Sequence, residues 1–423
     1  MAPILKKLPF LSKIHLPDLK AREFLRYLGP GILVTVGFID PGNWAANIAA
    51  GADFGYALLW VVTLSTLMLI VLQHNAAHLG IATGYCLSEA CMAFLPKPVA
   101  NAVLLSAIAA AAATAMAEIL GMAIGLKLLL GIPLQIGAIA AACTAFLLLW
   151  TNSYSRLEKW IVGFVSLIGF AFLFELTLIQ VDWVQTGTAW ITPSAPPGSI
   201  PIIMSILGAV VMPHNLFLHS EVIQSRQWNL EDEDVIDCQL RYEFFDTLFS
   251  MIIGWIINSA MIILAAATFF QHSIPVETLE QTTELLTPLL GQGASNIFAL
   301  ALLFAGIAST TTAGIAGGSI FAGWFGEAYN IRDPHTRWGV ALTYLIAVLI
   351  IFFIADPLAG LITSQILLSI QLPITVFSQI YLTSSPAVMG KYANRPFTKG
   401  VLLLIALIVT ILNLWLLYDF LLN

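Results

Sequence analysis

Eleven apolar stretches, each long enough to cross a bilayer, leave this chain little choice of fold class. They run over residues 30–51, 56–81, 100–127, 132–151, 157–181, 199–224, 242–271, 295–323, 337–355, 358–384 and 399–421. A bilayer core takes about 20 mostly apolar residues per helix. Backbone immersed in lipid must bond to itself, which restricts spanning chains to helices and closed barrels. Stretches of this length are helices. Composition agrees, with 59% hydrophobic and 10% charged residues and a mean hydropathy of +0.90, where a soluble domain carries about 25% charged residues. The gaps between stretches are too short for an independent core. We therefore expect an all-α integral membrane protein with no soluble domain.

Basic residues test that count, because cytoplasmic loops collect Lys and Arg. With the N-terminus inside, the segment 1–29 and the loops after spans 2, 4, 6, 8 and 10 hold all of the 17 Lys and Arg except Lys127. One missed span would scramble this pattern. Residues 1–29 are basic and broken by prolines, without the apolar stretch of a signal peptide, and read as a cytoplasmic tail. The C-terminus then lies outside, and the whole suits a multi-pass protein of a bacterial inner membrane. Cys86, Cys91, Cys143 and Cys238 have no metal-ligand spacing and read as ordinary thiols. The net charge of −7 says little about partners. The acidic run at 231–234 reads as a solvated loop.

Two of the spans carry the residues that most oppose a continuous helix. Asp40-Pro41-Gly42-Asn43 interrupts the first, and Met212-Pro213-His214-Asn215 interrupts the sixth. Proline removes a backbone donor and clashes with the preceding turn. Spans 1 and 6 are corresponding members of two five-span halves. Five is odd, so the second half is inverted relative to the first. Discontinuous helices at matching places of an inverted repeat point to a transporter's site near the bilayer midplane. We expect a first repeat over 30–181, a second over 199–384 and an added helix at 399–421. Asp40 in mid-membrane costs at least about 2.5–3.5 kcal/mol unless paired, protonated or bound to metal. Asn43 and the carbonyls exposed at the breaks are hard oxygen ligands, whereas the thioether of Met212 is soft. That combination favours Mn²⁺, Fe²⁺ or Cd²⁺ over Mg²⁺ and Ca²⁺.

At these residues the chain resembles the Nramp family of divalent-metal transporters, which shows DPGN in its first helix and A-x-x-M-P-H-N in its sixth. Here the second motif spans Ala209 to Asn215. The resemblance extends through "FGYALLWV", "LGIATG" at 79–84, "ATAMAEILG" at 113–121, "LFLHS" and "SIQLP" at 369–373. It implies a fold similar to LeuT, with discontinuous helices 1 and 6. It implies metal ligation by Asp40, Asn43, Met212 and the Ala209 carbonyl, with Gln371 closing over the ion and Gln365 a second candidate. His214 and His219 match the two histidines of the sixth helix, and family members couple metal entry to protons.

Three departures bear on that coupling. Many bacterial members carry Asp and Glu three apart in the third helix; here Glu118 is present and the Asp position is Ala115. The Gly-Gln-Ser-Ser run of the eighth helix reads Gly306-Ile307-Ala308-Ser309, so an amide is gone. The ninth span has Arg332 and Arg337 only at its start. Conversely, the second span adds His74 and His78, four apart and so on one helical face. Either His74 supplies the titratable group that Ala115 lacks, or it bonds to a neighbouring helix. The proton-path candidates are thus Glu118, His214, His219 and His74. The expected partners are a divalent metal substrate, the lipid bilayer and, if coupling survives, protons. No cofactor, nucleic-acid partner or enzymatic activity is expected. Two alternatives share the fold: a metal uniporter driven by the membrane potential, and a Na⁺-coupled symporter of an organic solute. Asp40 would repel the carboxylate of an organic acid, and Met212 would have no task there.

Overall fold

The computed structural model describes residues 40–151, 169, 172–177, 179–224, 233–282 and 294–422. The tail 1–29, the part of the first span before Asp40, most of the fifth span and the start of the acidic run lie outside the described residues. The described residues are all helix and connection. Nine of their helices are long and apolar enough to cross a membrane. After α1 (Pro41–Phe54), the nine are α2 (Leu59–Thr83), α4 (Lys97–Leu130), α5 (Leu134–Thr151), the pair α7 (Ile200–Val211) and α8 (Pro213–Gln224), α9 (Glu233–Ala265), α10 (Ala294–Trp324), α11 (Pro334–Ile351), α12 (Pro357–Thr383) and α14 (Pro396–Leu422). Short helices α3 (Leu87–Phe94), α6 (Trp183–Ala189) and α13 (Pro386–Met389) lie in the connections.

Local chemistry sets the ends. Proline opens α1, α8, α11, α12 and α14, where a missing N–H costs nothing. Asp356 caps α12 by accepting from the N–H groups of Leu358 and Ala359. Gly131 ends α4 in the left-handed region at φ 67°. The sixth span breaks where the prolines predict, into α7 and α8 around Met212. The seventh begins at Glu233, nine residues before the apolar stretch at 242. Its first turns are polar, so hydropathy alone does not see them.

Burial divides the bundle into a centre and a rim. Of the most apolar part of each span, 89% is buried in α7–α8 and 83% in α4, against 28% in both α5 and α14. Leu404, Leu407, Leu414 and Phe420 of α14 point outward, as lipid-facing side chains do. α4 is rich in alanine and packs along α10, α11 and α12. Small residues let membrane helices approach closely. The closest approach is at Gly208 of α7, where an added Cβ would run into the Gln365 carbonyl of α12. The α1–α9 contact is pinned by Asn47 Nδ2, which donates to Asn258 Oδ1 at 2.6 Å.

Gly208→Ala should therefore destabilise the fold by about 1–3 kcal/mol through overpacking against backbone. Gly187→Ala in α6, which faces open space, serves as the neutral control in thermal unfolding in detergent. The thiols give a second check. Burial pushes Cys91 up to about 12 and raises Cys86 well above the usual thiol range. A maleimide at about pH 8, where reaction needs thiolate, should label the exposed Cys238 and spare Cys86 and Cys91. Modification of Cys91 in folded protein, detected by mass spectrometry, would contradict this.

Candidate functional site

The two prolines build the centre of the molecule between them. Asp40, directly before Pro41, has an extended backbone (φ −82°, ψ 160°) and caps α1. Its Oδ1 accepts from the Asn43 N–H at 2.6 Å. A carboxylate at this end of a helix is favoured by its dipole, by roughly 0.3–1 kcal/mol at exposed sites. Pro213 acts on the opposite pole of α7. In an unbroken helix the Ala209 carbonyl would accept from the N–H of residue 213, and proline has none. Met212 leaves the helix at φ 13°, ψ 96°. The freed Ala209 oxygen accepts instead from Asn43 Nδ2 at 3.0 Å, and the same nitrogen donates to Asp40 Oδ2 at 3.0 Å. An acid on a helix N-terminus and a released carbonyl on a helix C-terminus thus converge on one amide. Asp40, Asn43 and Ala209 are all buried.

Met212 stands at the second break itself. Its sulfur accepts from Asn215 Nδ2 at 3.1 Å, and its side chain rests on Ala110, Ala113 and Leu368. The glutamines of α12 resolve differently from the sequence expectation. Gln365 lies over Gly42: its Cδ is 2.8 Å, and Asp40 Oδ1 is 3.3 Å, from where a Gly42 Cβ would stand. Its Nε2 donates to Ser364 Oγ at 3.0 Å, while its buried Oε1 finds no partner among the described residues. Gln371, the expected closing ligand, is elsewhere. Its Nε2 donates to Ser106 Oγ at 2.9 Å and its Oε1 accepts from Thr375 at 3.0 Å. Six residues turn an α-helix by about 600°, which leaves the two side chains about 120° apart. Only one of them can face the breaks, and that one is Gln365.

The protonatable candidates fall into two groups. Glu118 lies in α4 one turn before Gly121, the point where α4 meets the Pro41 ring. It is fully buried and accepts from Ser309 Oγ of α10. Ala115 is enclosed in the apolar core with Trp44 and Ile119. His214 pairs its Nδ1 with Thr114 Oγ1 at 3.1 Å. His219 and His74 belong to the second group, and what joins them is a residue the sequence reading missed. Glu243 of α9 holds His74 Nδ1 on Oε2 at 2.5 Å and His219 Nε2 on Oε1 at 3.2 Å. It sits one residue inside the apolar stretch, where it passes for a flanking charge. A second missed acid, Glu221 of α8, accepts from Ser319 Oγ at 2.9 Å and from the Tyr329 N–H at 3.0 Å.

Two cavities flank this centre without including its residues. One of about 420 Å³ is lined by Tyr56, Gln185, Thr188, Phe270 and Gln271. Another of about 500 Å³ is lined by His74, His78, Asp237, Lys391 and Arg395 among others. Among the described residues no three His, Cys, Asp or Glu side chains gather as a metal cluster. The donor set at the breaks is different in kind, with one carboxylate, two amides, a carbonyl and a thioether nearby.

Comparison with known proteins places this arrangement. The family model for Nramp, natural resistance-associated macrophage protein-like, matches residues 31–419. The divalent metal cation transporter MntH of Brucella suis is 39% identical over 410 residues, which is 95% of this chain and 90% of the relative. The protein of the same name from Caldanaerobacter subterraneus is 37% identical, over 95% of this chain and 94% of the relative. Among solved structures, the Eremococcus coleocola manganese transporter superposes with a TM-score of 0.80 at 27% identity, covering 94% of this chain and 87% of that one. Mhp1, a nucleobase-cation-symport-1 family transporter, shares the LeuT-like fold, with a TM-score of 0.63 at 14% identity, covering 92% and 91%. With its family model matched over nearly its whole length, the chain is a multi-pass membrane protein of the Nramp family.

Proposed function

We propose that this protein imports divalent transition-metal ions, Mn²⁺ or Fe²⁺, by alternating access. The observation that carries this reading is the convergence of Asp40, Asn43 and the Ala209 carbonyl where the start of α1 meets the break between α7 and α8. Met212 lies at the same break, and Gln365 brings its side-chain amide from α12. These five groups replace the water shell of the ion. A single carboxylate suits a transported ion, because a site with several anionic ligands would hold it too firmly to release. The thioether selects softer ions against Ca²⁺ and Mg²⁺. Gln371 is left to tie α12 to α4.

The alternating movement belongs to the two five-span halves, 30–181 and 199–384, with 399–421 outside them. The Lys and Arg distribution puts the N-terminus in the cytoplasm and the C-terminus outside, and the bacterial origin of the relatives suits an inner membrane. An ion of charge two gains about 4.6 kcal/mol from 100 mV, at about 2.3 kcal/mol per charge, so uptake needs no nucleotide and no catalytic step. The burial of Ala115 among apolar side chains favours a second reading, a uniporter driven by potential alone.

The test is metal entry into proteoliposomes held negative inside, read by a trapped metal-sensitive dye. Mn²⁺ should enter. Asp40→Asn should cut its entry at least about tenfold, the effect of 1.4 kcal/mol. No Mn²⁺ entry with folded protein would sink the reading. Gln365→Ala should weaken Mn²⁺ binding by a similar factor, while Gln371→Ala leaves the affinity within about twofold, since it removes only a neutral hydrogen bond. Equal effects would return both glutamines to a structural role. Met212→Ala should keep Mn²⁺ entry and admit Ca²⁺; continued exclusion of Ca²⁺ would show that the sulfur does not set selectivity.

A further inference from the structure

We propose that His219, Glu243 and His74 form a proton-conducting chain that leads from the sixth-span helix α8 into the 500 Å³ cavity on the Lys- and Arg-rich side of the protein. The proposal deepens the transport reading above and rests on it for the direction of flow. Its observation is a continuous line of titratable groups from the buried interior to an open space. His219 is buried on α8, and Glu243 is buried on α9. His74 on α2 is 32% exposed and lines the cavity. The contacts are 3.2 Å from His219 Nε2 to Glu243 Oε1 and 2.5 Å from Glu243 Oε2 to His74 Nδ1. Thr247 Oγ1 also donates to Oε1, at 2.7 Å.

The upstream end has a nitrogen to spare. His219 Nδ1 is buried and finds no hydrogen-bond partner among the described residues. A proton accepted there lets Nε2 release one to Glu243 Oε1. Glu243, now a carboxylic acid, turns about its terminal bond, whose torsion is broad, and hands the proton to His74 Nδ1. His74 Nε2 then releases one to the cavity. Each step breaks one N–H or O–H bond as the next forms, every group returns to its starting charge, and a turn of each imidazole restores its starting tautomer before the next proton.

A purely structural tie between these helices would not need this chemistry. Close by, α2 and α12 are joined by neutral groups alone: Asn75 Oδ1 accepts from Gln379 Nε2 at 3.1 Å and from Thr383 Oγ1 at 3.0 Å. Two imidazoles on one carboxylate are an arrangement suited to passing a proton near neutral pH. The charged and titratable groups around the exit are His78, whose ring stacks on His74 at 6.4 Å, Asp237 of α9, and Lys391, Tyr392 and Arg395 before α14. The chain also lies away from the third-span position that Ala115 occupies, and so provides a route that does not depend on an acid there.

The experiment traps a metal dye and a pH dye together in proteoliposomes held negative inside, and reads protons per Mn²⁺ for the wild type, His74→Gln and Glu243→Gln. The wild type should acidify the lumen as Mn²⁺ enters. Both variants should lower the proton-to-metal ratio by at least about tenfold, a cautious figure beside the 10²–10⁴ that one positioned proton carrier contributes. An unchanged ratio in His74→Gln overturns the proposal and leaves the metal reading intact, as does Mn²⁺ entry into wild-type vesicles without acidification. Glu243→Gln is buried, and its folding is checked by elution and thermal unfolding; should it not fold, His74→Gln, at the cavity wall, decides alone. Should wild-type protein admit no Mn²⁺, the transport reading falls separately. Proton entry driven by potential alone then decides the relay: loss in His74→Gln supports it, and unchanged or absent wild-type flux overturns it.

Discussion

A backbone carbonyl in hydrocarbon must have a partner, at a cost of several kcal/mol when it has none, and the centre of this protein is arranged around two places where proline denies that partner. Pro213 takes the hydrogen bond from Ala209, and Asn43 restores it from another helix. Pro41 opens α1, and Asp40 supplies the cap. The same amide serves both ends, so each break is stabilised by the other. The close fit of α12 follows from this. Only glycine at 42 and 208 leaves room for Gln365 to reach the breaks. The released carbonyl and the placement of the helices around it both depend on these two lost N–H groups.

Around that centre three buried acids are treated alike. Glu118 takes a hydroxyl from α10, Glu221 takes a hydroxyl and a backbone N–H, and Glu243 takes two imidazoles and a hydroxyl. Each bond crosses from one helix to another or to a connection, except that of Thr247 within α9. These acids therefore act as joints between elements that would otherwise share only apolar contact. The rim helices α5 and α14 contribute little to this network and much to the lipid-facing surface.

Much of this was legible in the residues before any coordinates. Apolar runs of membrane length gave the spans, because hydropathy and helix length are the same constraint in a bilayer. The proline of the sixth-span motif gave the break between α7 and α8, because its missing N–H ends the hydrogen-bond ladder there; that of the first-span motif stands where the described helix α1 begins. The glutamines of α12 are six residues apart: spacing says that they face differently, and only packing against Gly42 and Gly208 says which of them lies over the breaks. Glu243 was overlooked for another reason. The polar turns from Glu233 onward hide where α9 begins, so an acid deep in a helix looks like one at its entrance. No single stretch of chain encodes the meeting of His74, Glu243 and His219, which come from three elements.

The alanine run of α4 has a consequence for how such a molecule moves. Met212 rests on Ala110 and Ala113, and Ala111, Ala112, Ala115 and Ala117 are also buried along the same helix. Helix pairs are held at particular crossing angles when ridges of large side chains lock into facing grooves. Alanines make shallow ridges and have no rotamers to exchange. A neighbour sliding along α4 by a fraction of a turn therefore loses little interlocking and forces no side chain out of its well. Over its alanine run the helix would serve as a bearing, letting a neighbour shear across it with the core still packed.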